Sequence, residues 1–435
     1  MLSIVRRSAA ATPALFPLSI HASGRYLIDA QSRPFLIQGD TPWSLAVQLT
    51  DNQITTYLQD RARKGYSAIL FNAIEHWFTS QSPEYKNVDG SNPFTSMTDF
   101  ASGLNSSYWA RIDHIVNTAK PLGILCIINP AYLGFSGTEE GWDTEVSAES
   151  DADLQTYGAA LANRYTQGNV AWCMGGDQTP GSTLRDKQWQ IITGIRTVRT
   201  TDLVAAHGAP TDNVNTTWGS KTGFNLNTCY PGDDATSVYP FCATAYAVSG
   251  PKPFLMLEAV YEQERGTPIT AAGLRRQTWQ ALLSGACGQF FGNNPIWHFE
   301  SPNRPFTYSG TWTSNLDSTG NANQTRVREL LERHQWWKLE PKTGTELVTT
   351  SLSSGDTRIC PALASDGAFA MVWKPGSGAA TVNMAALTAT SSIRARIYDA
   401  SNGTYSAVAG SPFSNSGTQS ISWPGEGVLV LDKDQ

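Results

Sequence analysis

The sequence carries little charge and no long hydrophobic run. Only 16% of its 435 residues are charged, and the formal net charge is −6. No basic tract stands out, which argues against nucleic acid as a partner. No segment reaches the ~18 consecutive apolar residues that a membrane-spanning helix needs, so no membrane partner is expected. The length suits one large domain and a second, smaller one.

Motifs that bind metals and cofactors are also missing. The six cysteines form no CxxC pair and no Cys/His cluster with zinc spacing, so we expect no metal and no cofactor. His76, His207 and His298 belong to three different segments, which is not diagnostic of a metal site. No GxSxG nucleophile elbow supports an esterase or amidase. The spacing of Cys229 and Cys242 leaves open whether they form a disulfide.

Aromatic residues are plentiful, with 14 Trp, 15 Tyr and 16 Phe. Tryptophan in such numbers often lines carbohydrate sites, because the apolar faces of sugar rings pack on indole. The alternative interpretation is that most of these side chains fill the core. The composition alone therefore does not separate a glycan site from ordinary packing.

Short apolar runs alternate with helical patterns over most of residues 26–340. The continuous runs are typical of parallel strands covered by helices. Eight such units predict an α/β fold, a (β/α)8 TIM barrel, with an open doubly wound sheet as the alternative. No GxGxxG opens a helix to support that alternative. The predicted strands are FLIQGD (35–40), YSAILFNAI (66–74), GILCIINPA (123–131), NVAWCMGGD (169–177), DLVAAHG (202–208), FNLNTCYP (224–231), PFLMLEAV (253–260) and GQFFGN (288–293).

The two ends of the chain differ from the barrel segment in composition and in the spacing of their apolar runs. Residues 341–435 contain short runs such as GAFAMVWKP and IRARIYDA between Gly, Ser, Asn and Asp, which predicts a small all-β sandwich domain. Residues 1–25 have two arginines followed by a weakly apolar run, which resembles a poor or trimmed signal peptide. Together with a Ser/Thr-rich, Lys-poor composition, this segment favours a secreted or periplasmic protein.

Polar and aromatic side chains collect where the predicted strands end. Active sites of TIM barrels form at the carboxyl ends of the strands. Sugar hydroxyls bind amide and carboxylate groups, and sugar rings pack on aromatics, so this set predicts a carbohydrate site. The residues predicted to bind substrate are Asp40, Trp43, Asn72, Glu75, His76, Asn129, Tyr132, His207, Tyr230, Tyr261, Glu262, Asn293 and Trp297.

Two carboxylates end strands that face each other across the predicted barrel mouth. Asp177 follows the fourth strand and Glu258 follows the seventh. Glycoside hydrolysis requires a pair of carboxylates that flank the scissile bond. We therefore predict Asp177 and Glu258 as the catalytic pair, with Glu75 as the rival acid and Glu262 as the rival nucleophile. Two glycines precede Asp177 and predict a close approach of backbone or substrate.

These stretches resemble the apiosidase-like barrel family, glycoside hydrolase family 140 and its relatives. The matching segments are FLIQGDTPWSL, NVAWCMGGDQTP, KPFLMLEAVYE and RRQTWQALLSGACGQFFGNNPIW, which span the barrel from about Pro34 to Trp297. The resemblance implies a retaining exo-glycosidase with acid/base Asp177 and nucleophile Glu258. It also implies release of terminal apiose from a pectic side chain or plant glycoside, and a C-terminal sandwich of the type labelled collagen-binding.

Other functions remain open at this stage. The long, Ser/Asn-rich stretch 77–108 suits another furanosyl sugar or a longer glycan equally well. A non-catalytic glycan-binding or matrix-binding protein is the alternative of a different class. The expected partner is a carbohydrate substrate, and the expected assembly is a monomer or a small homo-oligomer.

Overall fold

A computed structural model describes residues 13–81, 85–136, 138–232, 238–248, 250–264, 268–304 and 306–433. The first 12 residues of the predicted N-terminal segment lie outside this described part. The described chain begins with a small antiparallel sheet of strands β1 (Ser19–Ile20), β2 (Leu27–Ile28) and β3 (Pro34–Phe35).

Eight parallel strands then form a nearly closed barrel, which confirms the predicted fold class. The order around the sheet is β8-β7-β6-β5-β4-β11-β10-β9. The gap between β8 and β9 is bridged by the backbone N–H groups of Asn225 and Leu226, which both donate to Val204 O. The barrel strands are β4 (Ile37–Asp40), β5 (Ala68–Asn72), β6 (Leu125–Asn129), β7 (Val170–Met174), β8 (Val204–Ala206), β9 (Asn227–Cys229), β10 (Phe254–Met256) and β11 (Gly288–Phe291).

Helices cover the outside of this barrel and form the connections between its strands, where the sequence has helical patterns. The fifth gap is the shortest, and its helix α7 has five residues. The helices are α1 (Leu45–Gln48), α2 (Asp51–Arg63), α3 (Ser106–Ala119), α4 (Asp143–Ala148), α5 (Asp151–Arg164), α6 (Ser182–Val198), α7 (Val214–Trp218), α8 (Val238–Tyr246), α9 (Ala271–Leu282), α10 (Asn294–His298), α11 (Trp312–Asn315) and α12 (Thr319–Leu331). In the described residues, no helix is long and apolar enough to cross a membrane.

The strands are buried on both faces, which explains why their sequences are continuously apolar. Along β5, Ile69 and Phe71 pack in the cluster that lies under the helices. Ala68 and Leu70 alternate with them and belong to a second cluster. Because successive side chains of a strand point to opposite faces, each strand contributes to both clusters. This double burial fixes the strand ends, and with them the side chains at the barrel mouth.

The C-terminal part is a separate all-β unit, as predicted. Its main sheet has the order β12-β13-β14-β20-β16-β17, with β18 beside β16, and β15 pairs with β19. Trp373 on β14 stacks against Trp279 on α9 of the barrel, with ring centroids 6.3 Å apart. The strands are β12 (Leu339–Pro341), β13 (Cys360–Ala364), β14 (Ala370–Pro375), β15 (Gly378–Asn383), β16 (Ser392–Tyr398), β17 (Tyr405–Ala407), β18 (Phe413–Ser414), β19 (Thr418–Trp423) and β20 (Glu426–Lys433).

All six cysteines are buried free thiols in this structure. The Sγ atoms of Cys229 and Cys242 lie 3.6 Å apart, in contact but not bonded.

Candidate active site

A cavity of about 310 Å³ opens at the carboxyl ends of the barrel strands and contains both predicted catalytic carboxylates. Its volume is at the small end of the ~300–1,000 Å³ range of ligand pockets. Eight of the predicted site residues line it: Trp43, Asn72, Tyr132, Asp177, Tyr230, Glu258, Tyr261 and Trp297. The structure therefore brings these eight predicted residues together at one cavity.

His207, at the end of β8, lies between the two carboxylates. Its Nε2 is 2.5 Å from Glu258 Oε2, and its Nδ1 is 3.4 Å from Asp177 Oδ1. Nδ1 is also 3.1 Å from Gly176 O. One oxygen from each carboxylate and a ring nitrogen all lie within 4.8 Å of one another. Both ring nitrogens face oxygen acceptors, which favours a protonated ring.

The surroundings raise the pKa values of Asp177 and His207. Burial, followed by the charge of Glu258, raises the pKa of Asp177 to about 7, although its side chain is 27% exposed. Burial alone would lower the pKa of His207. The hydrogen bond to Glu258 and the charges of both carboxylates outweigh that effect and raise it to about 9. Near neutral pH the site therefore combines a weak acid at Asp177 with an imidazolium against Glu258.

The two glycines before Asp177 allow β7 to run tightly beside its neighbours. Gly175 has φ +93°, and a Cβ at this position would lie 2.1 Å from His207 O. A Cβ at Gly176 would lie 2.8 Å from the backbone N of Gly134. The side chain of Gln188 secures the turn, because its Oε1 accepts from Gly175 N at 2.8 Å. The glycines therefore serve backbone packing that sets the position of Asp177 and His207.

We predict that Gly175→Ala reduces both stability and activity, whereas Gly181→Ala leaves them near wild type. The backbone strain alone is worth about 1–3 kcal/mol, and the contact with His207 O adds to it. Gly181 lies in the same loop, and a Cβ there meets nothing within 4 Å. Thermal unfolding and kcat/KM of both variants check this. Equal behaviour of the two alanine variants would contradict the role given to Gly175.

Aromatic side chains surround His207 and form the pocket wall. The ring centroids of Trp43, Tyr132 and Tyr230 lie 5.6, 6.4 and 5.5 Å from that of His207. Trp43 Nε1 donates to the hydroxyl of Tyr261 at 2.8 Å, which fixes the indole plane. Such walls exclude water from the carboxylates and offer flat apolar faces to a sugar ring.

Glu75 and His76 lie behind the pocket wall. Glu75 is 1% exposed and accepts from Asn72 Nδ2 and Ser44 Oγ, each at 3.2 Å. Burial raises the pKa of Glu75 to about 7. His76 faces Glu145 at 3.2 Å. Glu75 thus positions Asn72, and Asn72 lines the cavity. Glu75 itself does not line it.

Three other predicted contact residues are tied to the backbone around the site. Asn129 Nδ2 donates to Gly175 O at 3.3 Å, and its Oδ1 accepts from Ala131 N. Asn293 Nδ2 donates to Glu262 Oε2 at 2.8 Å. Glu262 also accepts from Gly320 N at 2.8 Å, at the start of α12. The structure places these three side chains outside the pocket lining, where they support the strand ends.

Asp40 is fully enclosed under the barrel mouth. Its carboxylate accepts from the hydroxyl of Tyr57 at 2.6 Å and from Thr41 N at 3.1 Å, and lies 3.5 Å from Arg61. Burial raises the pKa of Asp40, and the charge of Arg61 opposes that rise. The predicted contact between Asp40 and substrate does not appear in this geometry, because its side chain has no exposed surface.

Breaking this buried pair should destabilise the fold strongly. We predict that Arg61→Gln lowers the free energy of unfolding by about 3–5 kcal/mol, because Asp40 is left buried without its counter-charge. Arg63→Gln, two residues along the same helix, is the control because Arg63 is 76% exposed. Denaturant unfolding compares the two, and similar stabilities would contradict this account of Asp40.

Six residues that line the cavity were not predicted. They are Phe78, Phe135, Glu140, Pro210, Glu264 and Phe306. All of them belong to loops that follow barrel strands rather than to the strand ends. Loop length was the signal that could have indicated Phe78, Phe135 and Glu140, which lie in the long connections after β5 and β6, since long loops at this end of a barrel reach over the mouth.

Comparisons with known proteins identify the family and the fold. The family described as apiosidase-like, catalytic domain, matches residues 21–338. A glycoside hydrolase family 5 structure from Bacteroides vulgatus ATCC 8482 has a TM-score of 0.83 at 18% identity, covering 96% of this chain and 94% of that one. A structure described as a glycoside hydrolase has a TM-score of 0.83 at 19% identity, covering 97% and 99%. A comparison with curated proteins found no match.

The structural likenesses establish a shared fold, and they extend over the C-terminal sheet as well as the barrel. The family match covers the barrel and the strand ends that carry Asp177, His207 and Glu258. This chain therefore belongs to the apiosidase-like catalytic-domain family, on a barrel of the glycoside hydrolase type.

Proposed function

We propose that this protein is a retaining exo-glycosidase that releases a terminal apiose or a related furanosyl sugar from plant-derived glycans. The observation that carries the proposal is the spacing of the carboxylates, whose nearest oxygens lie within 4.8 Å. Retaining enzymes hold the two carboxyl groups ~5–5.5 Å apart, and inverting enzymes hold them ~6.5–9.5 Å apart. The short spacing fits the retaining class, in which the second carboxylate attacks the sugar directly, better than the inverting class, in which a water must fit between them.

In the first step, Glu258 attacks the anomeric carbon and the glycosidic C–O bond breaks. Asp177 gives its proton to the departing oxygen, which its raised pKa suits. In the second step, water attacks the anomeric carbon, Asp177 takes the water proton, and Glu258 leaves as a carboxylate. His207 hydrogen-bonds Glu258 Oε2 throughout, and so holds in place the carboxylate that attacks and departs.

The size and walls of the cavity support exo action on a single terminal sugar. A volume of about 310 Å³ with aromatic walls encloses a small ring rather than the length of a polymer. Tyr132 and Trp43 lie on one side of His207, with ring centroids 5.7 Å apart, and offer a stacking face beside the carboxylates. The identity of the sugar, apiose or another furanose, comes from the family likeness and is the finer part of the proposal.

The test is release of reducing sugar from a panel of glycosides and pectic oligosaccharides. The panel carries apiosyl, arabinofuranosyl, galactosyl and rhamnosyl ends, and is run with wild type, Asp177→Asn and Glu258→Gln. Asp186→Asn is the matched control, because Asp186 lies on α6 and is 54% exposed. We expect one furanosyl sugar to be released by wild type and the control only. Tight binding of a glycan without release by wild type would contradict the proposal and favour a glycan-binding protein.

A further inference from the structure

A second cavity, of about 380 Å³, lies between the end of the last barrel helix and the C-terminal sheet. Its lining includes four permanent cations, Arg333, Arg394, Arg396 and Lys433, and one carboxylate, Asp432. We call these five residues the basic cleft. The whole chain carries a formal charge of −6, so the basic cleft has the opposite sign to the rest of the protein.

Strand pairing builds the basic cleft. Arg394 on β16 lies directly opposite Asp432 on β20, and Ala395 lies opposite Leu431. Because side chains alternate, the alanine and leucine fill the core of the sandwich while Arg394, Arg396 and Asp432 share the other face. That face continues beyond the region where it packs on the barrel. The arginines therefore stand on a rigid sheet rather than on a mobile loop.

Asp432 holds the two arginines side by side. Its Oδ1 accepts from Arg394 Nε at 3.2 Å, and its Oδ2 accepts from Arg396 at 2.6 Å. The guanidinium of Arg396 also lies 4.7 Å from the ring centroid of Tyr405. One carboxylate cannot neutralise two guanidinium groups, so the pair is preorganised and keeps a net positive charge.

Hydrogen-bond donors remain for a ligand. In the described part of the chain, Arg394 donates only through Nε, which leaves its terminal nitrogens without a protein acceptor. Arg333 gives one terminal nitrogen to Glu329, at 3.0 Å, and is 49% exposed. Guanidinium forks of this kind match the geometry of a carboxylate.

We propose that the basic cleft binds the uronate carboxylates of an acidic polysaccharide and holds the enzyme on the polymer. The choice of a polysaccharide rests on the proposed glycosidase function, whereas the anionic character of the ligand rests on the cleft alone. A carboxylated sugar suits it because Arg394 and Arg333 keep donors for the carboxylate, and the ring of Tyr405 offers an apolar surface. Nucleic acid fits less well, because duplex DNA carries one negative charge per ~1.7 Å of its axis, and the acidic remainder of the protein repels so dense a polyanion more strongly than a chain with one carboxylate per sugar.

The experiment measures binding of the full chain to de-esterified oligogalacturonate by titration calorimetry at low ionic strength. The variants are Arg394→Gln/Arg396→Gln, the more exposed pair Arg333→Gln/Lys433→Gln, and Arg63→Gln/Lys120→Gln as a control that also removes two exposed positive charges, outside the cleft. We expect Kd to rise about tenfold or more in both cleft variants and to change by less than about twofold in the control. Added salt should weaken wild-type binding, and thermal unfolding checks that each variant folds.

Three results would overturn this inference. They are equal affinity for methyl-esterified and de-esterified oligosaccharides, unchanged Kd in the exposed-pair variant, and equal or tighter binding of duplex DNA. Hydrolysis of a small aryl glycoside is measured in the same variants and should equal that of wild type, because the basic cleft is not part of the barrel mouth. If no glycoside is hydrolysed but the cleft variants lose binding, the proposed function fails and the anionic ligand stands.

Discussion

Replacing Glu258 with glutamine should lower kcat/KM by about 10⁴-fold or more on the sugar that the panel identifies. The amide is isosteric with the carboxylate but cannot form the glycosyl ester. Because the shape of the side chain is kept, the fold should persist. Because the charge that His207 contacts at 2.5 Å is removed, the chemistry should stop. Steady-state kinetics with purified variants and a thermal unfolding curve for each provide the measurement.

The control for this prediction is Glu262→Gln. Glu262 lies four residues along the chain and accepts hydrogen bonds from Asn293 and from Gly320 N. Replacing Glu262 should lower the free energy of unfolding and should leave kcat/KM much closer to the wild-type value than Glu258→Gln does. A larger loss of kcat in Glu262→Gln than in Glu258→Gln would assign the nucleophile to the rival residue.

Replacing Asp177 with asparagine should lower kcat/KM by about 10²–10⁴-fold on substrates with poor leaving groups. The loss should shrink for a dinitrophenyl glycoside, because that leaving group departs without a proton. External azide should accelerate the variant, because it attacks the glycosyl–enzyme without a general base. A loss of equal size on aryl and natural glycosides would contradict the role of Asp177 as the acid.

The pH profile tests the same residue in wild type. The pKa of Asp177 is raised to about 7 by burial and the charge of Glu258, and the first step needs the protonated form. We therefore expect kcat/KM to fall as pH rises through about 7, and we expect this alkaline limb to vanish in Asp177→Asn. The folded state holds this proton more tightly than the unfolded chain does between pH 3.8 and about 7. The contribution of Asp177 to the free energy of unfolding is therefore fully present below pH 3.8 and is lost as pH rises through about 7.

The barrel could be predicted from sequence because each strand is apolar on both faces and each is followed by a helical pattern. All eight predicted strands are present, but each is shorter than its apolar run. The seventh run, for example, covers 253–260, whereas β10 covers Phe254–Met256. The remaining residues leave the hydrogen-bond ladder to form the mouth, where Glu258 lies. Apolar character reports burial, and burial continues beyond the end of strand pairing.

The candidate site was predictable where a side chain directly ends a strand and was less so elsewhere. Asp177, His207 and Glu258 came from strand ends, and the structure brings them together. Asp40 also ends a strand, but its partner Arg61 lies on α2, and no sequence pattern indicates that pairing. Loop residues such as Phe135 and Glu140 reach the cavity through loop conformations that periodicity does not encode.

The most direct test of the central claim is mass spectrometry of Asp177→Asn after incubation with an aryl glycoside of the sugar that is released. This variant should form the glycosyl–enzyme readily and hydrolyse it slowly, because the general base is absent. We expect the intact mass to increase by one dehydrated sugar residue, with the modified peptide containing Glu258. An unmodified protein during turnover, or a label on any other carboxylate, would contradict a retaining mechanism through Glu258.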